Sequence, residues 1–135
     1  METQEYTIEI VRATIDDLSL IVPLFDGYRQ FYKYATDLEG AHRFLAAHFE
    51  ENSSVIFLAF RIDREGTRHA CGFTQLYPSF SSGALKRLWI LNDLFVAPEG
   101  RRSGIGRALL ERAREFAVET QAKGLVLQTA VDNFT

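Results

Sequence analysis

Between Leu88 and Val96 the chain reads LWILNDLFV, and its large apolar side chains, Leu88, Trp89, Ile90, Leu91, Leu94, Phe95 and Val96, predict a strand that Pro98 and Gly100 terminate. The period then changes. From Gly104 onward Ile105, Ala108, Leu109, Ala113, Phe116 and Ala117 recur at helical steps, while Arg107, Glu111, Arg112, Arg114 and Glu115 fill the opposite face. Trp89 to Ala117 is therefore a strand, a turn and a helix, with glycine and arginine concentrated in the turn.

The rest of the pattern alternates less strictly. Thr7 to Ala13 reads as a first strand, and Thr14 followed by Asp16 and Asp17 signals a helix start. The helical region that follows runs through Tyr34 with Leu18, Ile21, Val22, Phe25, Tyr28 and Phe31 as its stripe, broken or bent at Pro23 and Gly27. A second helix is expected from Leu38 to Glu51, with Phe44, Leu45, Ala47, His48 and Phe49 on its apolar side. Ser54–Asp63 and His69–Tyr77 read as strands of a hairpin closed by Arg64, Glu65, Gly66 and Thr67. Pro78 to Gly83 has the composition of a connecting loop, and Gly124 to Val131 supplies a last strand.

These elements fit one domain across 135 residues, and a composition of 47% hydrophobic and 24% charged residues predicts a compact soluble chain. No apolar run reaches the roughly 20 residues needed to cross a bilayer, and METQEYTIEI has neither a basic leader nor an apolar signal segment, so no membrane partner and a cytoplasmic location are expected. The single cysteine, Cys71, agrees with a reducing compartment and reads as a small core residue. A formal net charge of −3 argues against nucleic acid as a partner. His42, His48 and His69 lack metal-site spacing, so no metal is expected and all three read as structural or surface groups.

Local charge runs the other way in the turn. Gly104 and Gly106 lack Cβ atoms where a helix presents unsatisfied N–H groups, and Arg101, Arg102 and Arg107 add positive charge, which together suit a phosphate. An ordinary flexible turn beside a solvated arginine face would look similar. Two familiar nucleotide motifs fail: Arg107 and Ala108 stand where a P-loop needs Lys and Ser or Thr, and Leu109 replaces the third glycine of a dinucleotide fingerprint.

Asn92-Asp93-Leu94-Phe95-Val96, followed by Arg101-x-x-Gly104-x-Gly106 and a helix, resembles motif A of the GNAT superfamily of N-acetyltransferases. The resemblance extends from Thr7 to Asn133 and implies a mixed, mostly antiparallel sheet with a splayed central strand and flanking helices. It also implies one acetyl-CoA-binding domain over residues 1–135 that lacks the usual C-terminal helix and strands. By the same resemblance Arg101, Arg102, Ser103, Gly104, Ile105, Gly106 and Arg107 hold the pyrophosphate of acetyl-CoA, Leu94, Phe95 and Val96 line its pantetheine arm, and Asn133 contacts the coenzyme. The backbone N–H of Phe95 or Val96 would meet the acetyl carbonyl.

In such enzymes an amine attacks the thioester directly. Many relatives carry a Glu base at the position of Asn92, which cannot accept a proton, so Asp93 is the nearest carboxylate, acting on charge or ordering water, or else satisfying backbone donors. Consecutive strand residues face opposite sides, so one of the pair should face the cleft. The Tyr acid of related enzymes would lie beyond Thr135. Phe25 to Tyr32, Leu76 to Phe80 and Asn92-Asp93 resemble a branch near polyamine, thialysine and yeast histone acetyltransferases, which implies a small primary amine or lysine-like acceptor. Asp26, Asp37 and Glu39 are candidates to attract it, with Tyr28, Phe31, Tyr32 and Tyr34 at its border, or these are a core stripe and solvated acids. Apolar surface near Leu125 to Val131 predicts a homodimer. A non-catalytic coenzyme A-binding module and an interaction fragment remain the other readings.

Overall fold

The computed structural model describes residues 6–128. Strands β1 (Tyr6–Arg12), β2 (Val55–Asp63), β3 (Arg68–Ser81), β4 (Lys86–Val96) and β5 (Gly124–Leu127) form one sheet in that order, flanked by helices α1 (Leu18–Phe31), α2 (Leu38–Glu51) and α3 (Ile105–Glu119). Neighbours from β1 to β4 are antiparallel, and β5 runs parallel to β4. The mixed, mostly antiparallel sheet is the expected one.

The apolar run of β2 serves two cores at once. Ile56, Leu58 and Phe60 pack on one face against Ile21, Val22 and Phe25 of α1 and Leu45 of α2, whereas Val55, Phe57 and Ala59 on the other meet Ile105, Leu109 and Phe116 of α3. Helices on both faces explain why this strand lacks a polar side.

Four details differ from the sequence expectation. Helix α1 runs unbroken through Pro23, because Ile21, Val22, Leu24 and Phe25 gain more by packing on the sheet than the missing hydrogen bond removes. Gly27 does not bend it either: a Cβ there would lie 3.3 Å from the Phe95 ring, so glycine lets α1 close on β4. On α2 the burial falls on Ala41 and Leu45, while Phe44 and Ala47 are exposed. Pro78 to Ser81 continue β3, paired with Trp89 to Lys86, and the turn is confined to residues 82–85. Proline is tolerated because pairing with β2 has ended at Leu76, which leaves β3 an edge there. The last strand is described to Leu127; Val131 and Asn133 lie outside the described residues.

Thr14 caps the entry to α1 through a reciprocal pair, its hydroxyl accepting from Asp16 N and its own N–H donating to Asp17 Oδ2 at 2.8 Å. Asp26 fastens α1 to α2. It is 3% exposed, and it accepts from Asp37 N at 2.8 Å, Thr36 Oγ1 at 2.6 Å and Gln30 Nε2 at 2.8 Å. Burial pushes its carboxyl up, but these donors and Arg29 outweigh that and hold it below the ordinary 3.8. A carboxyl lowered on folding stabilises the fold fully above its unfolded value, and that stability disappears as pH falls through the folded one. Asp26→Asn should therefore cost about 1–3 kcal/mol near neutrality, because its NH2 faces donors. Denaturation midpoints measured from pH 7 down to about 3 should converge for the two proteins; parallel curves would refute this role.

Among the described residues no helix is long and apolar enough to cross a membrane. Val118, Val126 and Leu127 are exposed beside a cleft of about 500 Å³ between α3 and β5.

Candidate active site

The site starts at a defect in the ladder between β3 and β4. Gln75 pairs with Asp93 and Leu76 with Leu91, so Asn92 is an extra residue without an opposite, a β-bulge. The bulge overrides strict alternation: Asn92 Nδ2 donates to Asp93 Oδ1 at 3.1 Å, so consecutive side chains touch where opposite faces were expected. Asp93 is 4% exposed, and its Oδ2 accepts from Gln75 Nε2 at 2.7 Å. The Tyr28 hydroxyl of α1 reaches the same point, 3.5 Å from Asn92 O. Burial, then a hydrogen bond to Asp93 and its charge, push the Tyr28 phenol well above its ordinary 10. Burial and the same carboxylate raise Tyr77 likewise.

Beyond the bulge β4 has an open edge. Its parallel pairing with β5 covers Leu88 to Leu91 and finishes with Gln128 N donating to Leu91 O at 3.1 Å; among the described residues no strand pairs with the far side of Asn92 to Val96. Ala97 N donates to Cys71 O at 2.8 Å, so its N–H points towards β3, and alternation gives Phe95 the same direction. The N–H groups of Leu94 and Val96 therefore point to the open side. Phe95, considered with Val96 as a carbonyl contact, instead turns its N–H inward and lays its ring against Tyr28 and Phe73.

The open edge leads into the start of α3. Gly104 is the N-cap with φ +86°, the left-handed region that glycine enters without strain, and no side chain caps the helix. The first intrahelical bond runs from Ala108 N to Gly104 O, which leaves the N–H groups of Ile105, Gly106 and Arg107 without an acceptor in the helix. Ile105 is 1% exposed and contributes backbone only, its side chain being core. Ser103 turns its hydroxyl to Gly100 O. Arg102 and Arg107 are exposed and form no ion pair among the described residues. Arg101 turns back onto the open side of β4: its Nε donates to Val96 O at 2.8 Å and its guanidinium lies over the Phe31 and Phe95 rings. An open strand edge running into an uncapped, arginine-flanked helix start can hold a long ligand that pairs with backbone at one end and is anionic at the other.

A family model described as Acetyltransferase (GNAT) family matches residues 21–135. The chain belongs to the GNAT acetyltransferase family. It is 47% identical over 93% of its length to 81% of a Bacillus subtilis (strain 168) protein named uncharacterized N-acetyltransferase YhfO, and 31% identical over 95% of its length to 85% of a Haemophilus influenzae (strain ATCC 51907 / DSM 11121 / KW20 / Rd) protein named probable acetyltransferase. A crystal structure of a probable acetyltransferase superposes with a TM-score of 0.85 at 44% identity, covering 93% of this chain and 81% of that one. An aminoglycoside N-acetyltransferase solved in complex with CoA shares the fold, with a TM-score of 0.76 at 14% identity over 99% of this chain and 84% of its own. The GNAT fold and the acetyltransferase class of this enzyme are thereby shown.

Within this GNAT domain the acids expected near the acceptor are otherwise engaged. Asp26 is buried in the joint between α1 and α2, Asp37 caps α2 by accepting from Gly40 N at 2.9 Å, and Glu39 pairs with Arg43. Of the expected aromatic border, Tyr28 stands at the bulge, Tyr32 stacks edge-on against it, and Phe31 and Tyr34 are exposed. Gln75 and Ser54 escaped the sequence reading. Thr74 and Gln75, polar residues inside the otherwise apolar ACGFTQL, were the available signal, since burying them requires partners. Asn133 lies outside the described residues.

Proposed function

We propose that this GNAT enzyme transfers acetyl from acetyl-CoA to a small primary amine, polyamine or lysine-like group by direct attack. The observation that carries the reading is the continuity of the open β4 edge with the uncapped start of α3. In it, the N–H groups of Ile105, Gly106 and Arg107, with Arg102 and Arg107, bind the pyrophosphate, and the N–H groups of Leu94 and Val96 pair with the pantetheine amides and polarise the acetyl carbonyl. The amine nitrogen bonds to that carbon while the C=O electron pair moves to oxygen. Collapse breaks the C–S bond and releases the thiolate, which takes a proton from solvent. Asp93 accepts the amine proton, directly or through a water, because Asn92 has no basic atom and Tyr28 remains protonated.

The buried carboxylate with Tyr28 and Tyr77 beside it supports a cationic acceptor that is neutralised on arrival. Calorimetry with acetyl-CoA, run beside a thiol-release assay on spermidine, thialysine, lysine and a lysine-containing peptide, tests the reading. Binding together with release above the buffer rate is expected; binding without release would leave a coenzyme A-binding module. Buried, unpaired Cys71 supports a reducing, cytoplasmic setting. The exposed Val118, Val126 and Leu127 support a homodimer, to be checked by sedimentation velocity, where a monomeric boundary would exclude it.

A further inference from the structure

Among the described residues the buried polar side chains are Asp26, Thr74, Gln75 and Asp93. Asp26 belongs to the joint between α1 and α2, and the other three meet at the bulge. Thr74 Oγ1 donates to Asp93 O at 2.7 Å, which fixes the backbone there. Gln75 has no exposed surface, and Phe73, Thr74 and Leu76 of the same strand are fully buried as well. Its amide is held at both ends: Ser54 Oγ donates to Oε1 at 2.8 Å, and Nε2 donates to Asp93 Oδ2 at 2.7 Å. A carboxylate cannot donate, so the NH2 end must face Asp93, and the hydroxyl of Ser54 must then turn to the amide oxygen.

We propose that Gln75, anchored by Ser54, is a positioning residue that holds the Asp93 carboxylate at the bulge in the orientation needed to take the acceptor's proton. This rests on the reading of Asp93 as proton acceptor. A leucine of similar volume would fill the site without desolvating an amide, so packing alone gives no reason for glutamine here. The direction of the chain matters too. Gln75 and Asn92 each occupy one lone pair on a different carboxylate oxygen, which fixes the plane of the group and leaves a remaining lone pair for Tyr28. An amide is a poor proton carrier, so a proton taken by Asp93 does not leave through Gln75 towards Ser54. Titratable groups from the packed elements are Tyr28 on α1 and Tyr77 on β3.

The test compares Gln75→Leu, Gln75→Glu and Ser54→Ala with Asp93→Asn, in thiol release from acetyl-CoA with the amines above and in a carboxyl-carbon NMR titration of aspartate-labelled protein. The NMR arm needs no acceptor, since the Asp93 signal is identified by its loss in Asp93→Asn. Gln75→Leu should change how the Asp93 carboxyl signal moves with pH, because a donor to that carboxylate is gone. It should lower kcat roughly 30-fold with acceptor KM little changed, and the acid limb of its pH profile should move with the NMR titration. Ser54→Ala, which leaves the core intact, should shift both in the same direction by roughly a third as much, and keeps the proposal testable if Gln75→Leu fails to fold. Gln75→Glu should make the pair titrate in two steps, with activity partly restored only where one proton is shared. If Asp93→Asn is impaired while Gln75→Leu and Ser54→Ala keep the native titration and kcat, the role of Gln75 is overturned and the base survives. If Asp93→Asn turns over like the native enzyme, the base reading fails and the positioning role with it.

Discussion

Asp93→Asn is expected to lower kcat by roughly 100- to 10,000-fold while acetyl-CoA affinity changes by no more than about threefold. The substitution conserves size, and although its NH2 must face the amide donor of Gln75 or Asn92, the backbone ladder of β3 and β4 should keep the bulge and the open edge. It removes the one carboxylate buried at the bulge, leaving Asn92, Gln75 and a Tyr28 phenol pushed well above 10, none of which can take a proton near neutrality. The amine would then have to lose its proton to bulk water before attack. The loss should accordingly shrink as pH rises and more acceptor is free base, so the ratio of native to variant kcat should fall between pH 7 and about 10. A pH-independent ratio would instead indicate a disturbed bulge, and an unimpaired variant would remove Asp93 from the chemistry. Acetyl-CoA calorimetry on the same variant separates these outcomes from a damaged coenzyme site.

The architecture was largely legible because the apolar pattern is strong where burial is strong. Helix α3 could be read from Ile105, Leu109, Ala113 and Phe116, since one face packs on the sheet and the other is charged. The hairpin through Arg64 to Thr67 was legible from its glycine and spacing. Pro78 to Ser81 misled because composition describes local preference, whereas pairing with Trp89 to Lys86 is set by the neighbouring strand. The candidate site divides in the same way. Gly104 takes a left-handed backbone angle that glycine adopts without strain, so the sequence pointed to the turn at the start of α3. Asn92 and Asp93 were visible as residues, but a bulge is a relation between two strands, and only the paired register shows that their side chains touch. Asp26 was legible as a charge; its burial against Asp37 N, Thr36 and Gln30 depends on how two helices meet, eleven residues apart at the longest of these bonds.

Gly104→Glu is expected to weaken acetyl-CoA binding by about 100-fold or more, equivalent to about 2.7 kcal/mol, without unfolding the enzyme. Two effects act together. Every L residue with a side chain is strained at φ +86°, by about 1–2 kcal/mol, and a glutamate also places negative charge beside N–H groups that otherwise face a pyrophosphate. Space is not the obstacle, since the nearest atom to a Cβ there is Ile8 Cδ1 at 4.0 Å. Gly104→Ala separates the two, because it introduces the strain without the charge and should lose only roughly three- to tenfold. The remaining difference between Ala and Glu is electrostatic and should diminish as salt rises from about 0.05 to 0.5 M, whereas the alanine loss should not. Native affinity in Gly104→Glu would mean that the start of α3 does not hold the phosphates, and the arginines would then have to be reread as a solvated face. Equal losses in Ala and Glu would assign the whole effect to backbone geometry and leave no role for charge at this helix end.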